Sequence, residues 1–454
     1  MFKKILVANR GEIALRIIRA CRELGIRTVI VYADVDADSL PVRQADEHIC
    51  IGPADGSLSY RNIPNVLSAA EVTGVDAIHP GYGFLAENAH FAEVCESIGL
   101  TFIGPTSEHI ALLGDKSKAR QQLSREGIPV LPGSDGEISP DQDCQKIAHK
   151  IGFPVIVKAS SGGRGRGMRV VLKEEDLLPA VQAAQGEAES SFGHGGVYLE
   201  RFFQDPRHIE IQVLADHHGR IVHLNERDCS VQRRYQKLIE ESPSPGMDDQ
   251  LRQQMGRVAI KVMKSVNYRN AGTVEFLLDR DGKFYFMEVN TRIQVEHPVT
   301  EMVTGIDLIK EQIRIAAGLK LSFSQRDIRV SGHAIECRVN AECPERFTPS
   351  PGMVTRYHPP GGPGIRVDSA METSGIVQPH YDSLVAKLIG FGRDREEALA
   401  RTRRALDEFT IEGIKTTIPL HRRVLDHPDF QKGQVSTRFL DRVMASRPSA
   451  SPSL

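Results

Sequence analysis

The sequence predicts a multidomain protein that combines α/β and α+β architecture, and three observations carry that expectation. The chain has 454 residues, about three domains at roughly 150 residues each. Its first hundred residues alternate strand and helix patterns, the signature of a parallel sheet covered by helices. Beyond residue 150 longer strand patterns appear, two of them joined by Asp281-Gly282, a strong hairpin signal. Apolar residues at 40% and charged residues at 26% are ordinary globular values, so several cores can be buried.

Taken in order, residues 4–8 form a short apolar strand. Residues 11–24 place Ile13, Ile17, Ile18, Cys21 and Leu24 at helical spacing, and residues 27–32 are a second β-rich run. This βαβ unit turns through Asn9-Arg10-Gly11 rather than a GxGxxG run, which disfavours dinucleotide binding and favours a structural α/β domain. A helix over 116–125 ends at Gly127, and Pro129, Pro132 and Gly133 follow as a linker. Residues 154–200 read as strand, Gly-rich loop, strand, helix and strand. Strands at 209–215 and 221–226, a helix at 248–265 and strands at 272–278 and 284–290 complete the middle of the chain. A third region opens with a strand at 333–339, passes through the turn-rich 359–364 and reaches a helix at 395–408. Residues 446–454 have the composition of a disordered tail.

Composition excludes several classes. Lys plus Arg total 57 against 59 Asp plus Glu, so neither a nucleic acid nor an anionic membrane surface is an expected partner. The seven cysteines are scattered, odd in number and without CxxC, which reads as reduced thiols in a cytoplasmic protein. No apolar run is long enough to span a bilayer, and no export signal is found.

The most informative stretch is 273–290. With Asp281-Gly282 as a two-residue turn, Arg280 faces Lys283 and Glu275 lies opposite Glu288, while Asn290 shares the face of Glu288. Two carboxylates opposed at about 5 Å repel by roughly 3 kcal/mol at an effective dielectric near 20, so a cation should sit between them. A hard cation held by Glu275, Glu288 and Asn290 is the natural candidate, with phosphate oxygens and waters as further ligands. The alternative is a solvated sheet face, against which stand Leu277, Phe284 and Phe286, expected on that face. In the following segment alternation puts Arg292, Gln294 and Glu296 on one side. A guanidinium and a carboxamide can grip a small planar anion there, and a carboxylate can take its proton. A solvated strand edge is an equally open reading of those residues alone. The Gly-rich loop between two strands within 155–171 suits close approach of backbone N–H groups to phosphates, with Lys158 at the end of the entering strand. Taken singly, Lys116, His208 and Lys237 read as solvated residues, whereas Arg338 lies within an apolar strand where a buried Arg has a partner.

These residues resemble the ATP-grasp superfamily, and specifically biotin carboxylase, over about residues 2–445. The resemblance rests on Ala8-Asn-Arg-Gly-Glu-Ile-Ala14, His79-Pro-Gly-Tyr-Gly-Phe-Leu85 with Glu87-Asn88, Gly114-Asp-Lys116, Glu226-Arg-Asp-Cys-Ser230 and Glu288-Val-Asn-Thr-Arg-Ile-Gln-Val-Glu-His-Pro-Val-Thr-Glu301. It implies a Rossmann-like N-terminal domain over 1–114, an ATP-grasp core over 115–330 with a mobile lid at about 131–203, and a C-terminal α+β domain over 331–445. It implies that ATP and bicarbonate form carboxyphosphate and that the carboxyl group passes to N1′ of biotin.

The resemblance also assigns roles. Lys116, Lys158, Arg164, Gly165 and His208 would hold ATP phosphates or ribose, and Glu200, Arg201, Phe202 and Phe203 the adenine and ribose, near Tyr235. Glu275, Glu288 and Asn290 would bind Mg2+ or Mn2+. Lys237, Arg292, Gln294 and the Val295 backbone would hold bicarbonate, with Glu296 as general base and Arg338 stabilising the biotin enolate. The chain departs from the family at Ser161 and Arg164, which interrupt a glycine run, and at Tyr235, where the family often has histidine. If either loop position needs positive φ the strain costs roughly 1–2 kcal/mol, and both changes bear on lid closure and ATP affinity. The only near match to a biotinylation site, Val262-Met-Lys-Ser265, lies in a helical pattern and lacks the second methionine. Biotin is therefore expected on a separate carrier protein, alongside carboxyltransferase subunits and in a homodimer. Acetyl-CoA carboxylase is the expected assembly. Another acyl-CoA or pyruvate carboxylase, or a non-catalytic ATP-binding subunit, are the alternatives.

Overall fold

The computed structural model describes residues 1–139, 142–160, 168–192 and 194–445, and for residues 116–118, 142, 143 and 192 the backbone alone. Arg164, Gly165 and the expected tail therefore lie outside the described residues.

The N-terminal part is the α/β unit expected. Strands Glu47–Gly52, Arg27–Ala33, Lys4–Val7, Ala77–His79 and Thr101–Phe102 lie in that order, all parallel. Helix Gly11–Glu23 buries Ile13, Ile17, Ile18 and Cys21, which pack in one core with Leu308, Ile309 and Ile313 of helix Leu308–Ala316. The turn before it has a structural occupant. Arg10 donates to both oxygens of Asp36 at 2.7 Å and lies 4.2 Å over the Tyr381 ring, while Asn9 ties down the carbonyls of Pro80 and Tyr82.

A small antiparallel sheet orders Met168–Val171, Val155–Ala159 and Val197–Arg201, backed by helices Gln142–Ile151 and Leu177–Phe192. It buries its own core, including Ala148, Val155, Val157, Leu177, Val181 and Leu199. Among the described residues of 154–200 the strand, strand, helix, strand order is as expected, and the Gly-rich loop between the first two strands lies outside them.

Apart from two short pairs, Gly352–Met353 with Ile376–Val377 and Arg356–His358 with Thr410–Glu412, the remaining strands form one eight-stranded sheet. Its order is Phe284–Asn290, Asn270–Leu278, Arg207–Ala215, Ile221–Arg233, Gln236–Ser242, His333–Asn340, Leu384–Gly392 and Ile365–Ser369. The third region of the sequence thus opens no new large sheet. Its first strand pairs antiparallel with Gln236–Ser242, aligning Glu240 with Glu336 and Ile239 with Cys337. Helix Arg395–Glu408 covers one face through Ala398, Leu399, Ala405 and Leu406, packed with Ile335, Cys337 and Leu388.

A buried ion cluster fastens this extension. Glu241, on Gln236–Ser242, accepts from His333 at 2.8 Å and from Arg395 Nε at 2.7 Å, and Arg395 also caps the carbonyls of Phe430 and Gln431. Burial alone would raise the Glu241 carboxyl, but the His333 hydrogen bond and the Arg395 charge outweigh it and bring it down to about 2. A depressed carboxylate stabilises the fold above its unfolded value near 4.3, and that contribution is lost as pH falls through the folded value. Arg395→Met is expected to cost about 3 kcal/mol in urea unfolding at pH 7, and the deficit should narrow between about pH 4.5 and about pH 2. A pH-independent deficit would show that the helix contacts, and not the charge, carry the effect.

Candidate active site

The site is written across the eight-stranded sheet as a line of aligned residues. Glu288 pairs with Glu275, Glu275 with Glu210 and Glu210 with Arg227, on four neighbouring strands. The next line runs Asn290, Thr273 and Gln212. Alternation explains why polar residues reach this face: Ile209, Ile211, Val213, Val274 and Phe276 point to a separate apolar core behind it.

Glu275 does face Glu288, but by another route than a two-residue turn. Asp279 pairs with Lys283 across a three-residue loop, and Gly282 there takes φ +78°. The pairing then slips by one residue between Phe276–Phe286 and Glu275–Glu288, leaving Met287 as a bulge. Without that bulge Glu288 would share the face of Phe284 and Phe286, as the sequence suggested. With it, those rings stay in the core against Phe276 at centroid distances of 5.5 and 6.4 Å, and Glu288 and Asn290 turn to the site.

Aligned carboxylates need compensation, and two cations supply it to Glu210 and Glu275. Arg227 is wholly buried and uses all five of its N–H groups. It donates to Glu210, to Gln212 (2.8 Å) and Thr300 (3.0 Å), and to Thr273 (3.2 Å) and Gln294 (2.8 Å). Lys237 donates to Glu210 (2.5 Å), Glu275 (2.9 Å) and Glu296 (2.6 Å). Its run, Gln232–Lys237, is no solvated loop: it crosses from one strand to the next through a two-residue turn at Arg234 and Tyr235, both with positive φ. Burial would lower the Lys237 ammonium, but Cys229, Glu210, Glu275 and Glu296 around it hold it well above its ordinary value.

Residues 291–296 are not an extended strand; they form a loop into helix His297–Thr304, and their side chains diverge to separate partners. Arg292 donates Nε to Glu87 (2.9 Å) and Nη2 to Asn290 Oδ1 (3.1 Å). Gln294 accepts from Arg227 and donates to Glu275 at 3.0 Å. Glu296 accepts from Lys237 on one oxygen and from Arg338 Nη2 on the other, at 2.9 Å. The Val295 carbonyl accepts from Lys387, at 3.0 Å, a lysine with no solvent exposure. Burial alone would raise the Glu296 carboxyl, but Lys237, Arg338 and Arg227 push it far below the carboxylate range.

The other expected residues lie towards the small sheet. Lys158 and Arg120 both donate to Glu200, which leaves the Lys158 ammonium raised despite burial. Arg201 donates to the Ile151 carbonyl, Phe202 N–H to the Pro154 carbonyl, and Phe203 stacks on Tyr285 at 4.8 Å. His208 donates to Glu275 Oε2 at 2.9 Å. Lys116 opens helix Lys116–Arg125, and its side chain lies outside the described atoms. Tyr235, 59% exposed at its hairpin tip, makes none of the site's hydrogen bonds.

Glu275, Glu288 and Asn290 offer hard oxygen donors on one face, which fits magnesium in type and placement. Glu275 is already fully engaged: Oε1 accepts from Lys237, Asn290 and Gln294, and Oε2 from His208. A cation there competes with those donors. Sequence reasoning gave no role to Glu210, Arg227, Glu87, Glu240 or Lys387. Glu210 was within reach, because Ile209-Glu-Ile-Gln-Val213 alternates and a polar face inside a central strand needs partners.

Family comparison agrees with this geometry along nearly the whole chain. Residues 1–110 match the biotin carboxylase N-terminal domain, 115–324 the ATP-binding domain of the carbamoyl-phosphate synthase L chain, and 336–442 the biotin carboxylase C-terminal domain. The chain belongs to the biotin carboxylase family. It is accordingly an ATP-dependent ligase of the ATP-grasp type with biotin carboxylase activity. It is 56% identical to biotin carboxylase 1 of Bacillus subtilis over 97% of this chain and 98% of that one. It is 52% identical to a pyruvate carboxylase subunit of Methanothermobacter thermautotrophicus, over 97% of this chain and 90% of that one. Among solved structures, the biotin carboxylase–β-γ-ATP complex of Campylobacter jejuni superposes with a TM-score of 0.94 at 49% identity, covering 97% and 99% of the two chains. The biotin carboxylase domain dimer of Hydrogenobacter thermophilus 2-oxoglutarate carboxylase, with MgADP, ADP and bicarbonate, gives 0.93 at 49%, covering 99% and 100%.

Arg227→Lys keeps the charge but has three donors for five acceptors. It is expected to lose about 2–3 kcal/mol in urea unfolding, with Arg227→Met losing more. A wild-type midpoint for the lysine variant would show that charge alone matters there.

Proposed function

We propose that the chain is the biotin carboxylase subunit of a multisubunit carboxylase, acetyl-CoA carboxylase in fatty acid synthesis, working in the cytoplasm as a homodimer. The observation that carries the chemistry is Glu296, buried and ionised between Lys237 and Arg338. A carboxylate loaded with two cations is a poor base. An incoming bicarbonate offers those cations a second anion, and as they shift towards it the proton affinity of Glu296 rises and it can accept the bicarbonate proton.

On this reading Lys237, Arg292, Gln294 and the Val295 backbone N–H hold bicarbonate, so its oxygen is placed for attack on the γ-phosphorus of ATP. Lys116, Lys158, His208, Arg164 and Gly165 hold phosphates or ribose, and Glu200–Phe203 with Tyr235 border the adenine. Glu275, Glu288 and Asn290 would hold magnesium, or manganese, which would supply charge neutralisation at the transferring phosphoryl group. Biotin on a separate carrier protein supplies the ureido nitrogen that takes the carboxyl group, and Arg338 faces the oxyanion that develops on the acceptor. Residues 1–114, 115–330 and 331–445 are then three functional parts, with 131–203 closing as a lid, and carboxyltransferase subunits complete the assembly.

The pyruvate carboxylase relative, at 52% identity, favours a second reading in which the same half-reaction serves a different final acceptor. A non-catalytic ATP-binding role is disfavoured by the complete ion set around Glu296.

The purified chain with magnesium and bicarbonate should release ADP from ATP faster when free biotin is added. Glu296→Gln should lower that biotin-dependent rate on the order of 10²-fold while ATP binding, followed by fluorescence titration, is kept. Equal turnover in the variant would remove Glu296 as the base. Adding carrier and carboxyltransferase with acetyl-CoA, or with pyruvate, separates the two acceptor readings.

A further inference from the structure

Beneath Arg338 lies a second acid that the chemistry above does not use. Arg338 donates Nε to Glu240 Oε1 at 2.6 Å, and its Nη2 pairs with the same oxygen at 2.5 Å while donating to Glu296. Glu240 and Glu336 are aligned partners on adjacent antiparallel strands, so their side chains leave the same face with Cβ atoms about 5 Å apart. Both residues have no solvent exposure. Glu240 Oε2 and both oxygens of Glu336 have no hydrogen-bond partner among the described residues.

The charged groups nearby do not resolve this. Lys387 is committed to the Val295 carbonyl and to Glu12, each at 3.0 Å, and Lys237 to Glu210, Glu275 and Glu296. Arg338 is shared between Glu240 and Glu296, and Cys229 brings no positive charge. An ionised carboxylate buried without a donor is too costly to persist; it takes up a proton instead. Burial lifts Glu336 well above the carboxylate range, and Glu240 to about 7. A protonated Glu336 has one O–H to donate, and the free oxygen of its aligned neighbour is the acceptor at hand.

We propose that Glu240 is a positioning residue for the carboxylation reaction, aiming Arg338 from the side away from Glu296, and that Glu336 stays protonated and donates to the free Glu240 oxygen. The pair then carries one negative charge against one guanidinium. When Glu296 takes a proton its grip on Arg338 weakens, and Glu240 is what keeps the guanidinium in place for the acceptor. This rests on the role proposed for Arg338.

The test compares Gln at both positions in the full chain. Glu336→Gln replaces a neutral O–H donor by a neutral N–H donor, so biotin-dependent ADP release should stay within about twofold of wild type, whereas Glu336→Leu, which removes the donor, should lose on the order of tenfold. Glu240→Gln replaces the carboxylate that Arg338 Nε and Nη2 meet. It should lower kcat for biotin-dependent turnover on the order of 10²-fold, with the KM for ATP changed less than about twofold. Infrared spectra of wild type should show a buried protonated-carboxyl band that is absent in Glu336→Gln, a readout that does not need the Glu240 variant to fold. Wild-type turnover in Glu240→Gln, a Glu336→Gln as impaired as Glu336→Leu, or no such band would each overturn the proposal. A wild-type chain with no biotin-dependent turnover would instead overturn the functional reading beneath it.

Discussion

The active site depends on one wholly buried guanidinium. Arg227 sits at the end of a line of acids, Glu288, Glu275 and Glu210, and satisfies every one of its donors on protein groups. Burying an arginine costs several kcal/mol unless its charge and all its donors are matched. Its partners come from Arg207–Ala215, Asn270–Leu278, the 291–296 loop and helix His297–Thr304, so those elements must close around it together. Gln294 is the clearest consequence: its oxygen is held by Arg227 and its amide by Glu275, which leaves its orientation no freedom.

The second constraint is charge number. Glu210, Glu275 and Glu296 all face Lys237, and one ammonium with three donors meets all three. His208 on Glu275 and Arg338 on Glu296 complete the compensation. Glu296 in a site so balanced has little affinity for a proton, and on the proposed function it gains basicity when an anion draws its cations away.

Much of this was legible before any coordinates. The βαβ opening, the helices 116–125 and 395–408 and the facing of Glu275 and Glu288 follow from periodicity and turn chemistry. What periodicity could not reveal was the bulge at Met287, because a bulge leaves no compositional mark and yet flips every side chain beyond it. The Glu275–Glu288 pairing was reached through two errors that cancelled, a turn one residue too short and a missing bulge. Alternation placed Arg292, Gln294 and Glu296 on one side of an extended strand, whereas a loop delivers them, each to its own partners. Arg227 entered the sequence reading only within the motif Glu226–Ser230, with no role of its own. Its importance arises from contacts up to 73 residues away in sequence, which no local pattern encodes.

The continuous sheet explains why the site draws on distant segments. His333–Asn340 and Leu384–Gly392 add to the same sheet as Arg207–Ala215, and so Arg338 and Lys387 arrive on the face that carries Glu240 and Glu296. From the other side, helix Gly11–Glu23 supplies Glu12, which accepts from Lys387 and from the Tyr82 hydroxyl, and Glu87 holds Arg292. The loop 291–296 is therefore clamped at Arg292 by the N-terminal part and at Val295 and Glu296 by the C-terminal part. The base role proposed for Glu296 needs such clamping, because a shift of about 1 Å in either shared cation would change its proton affinity by a large fraction of the interaction. Rigidity at this loop is thus a condition of the chemistry, and the sheet that spans the middle and C-terminal parts provides it.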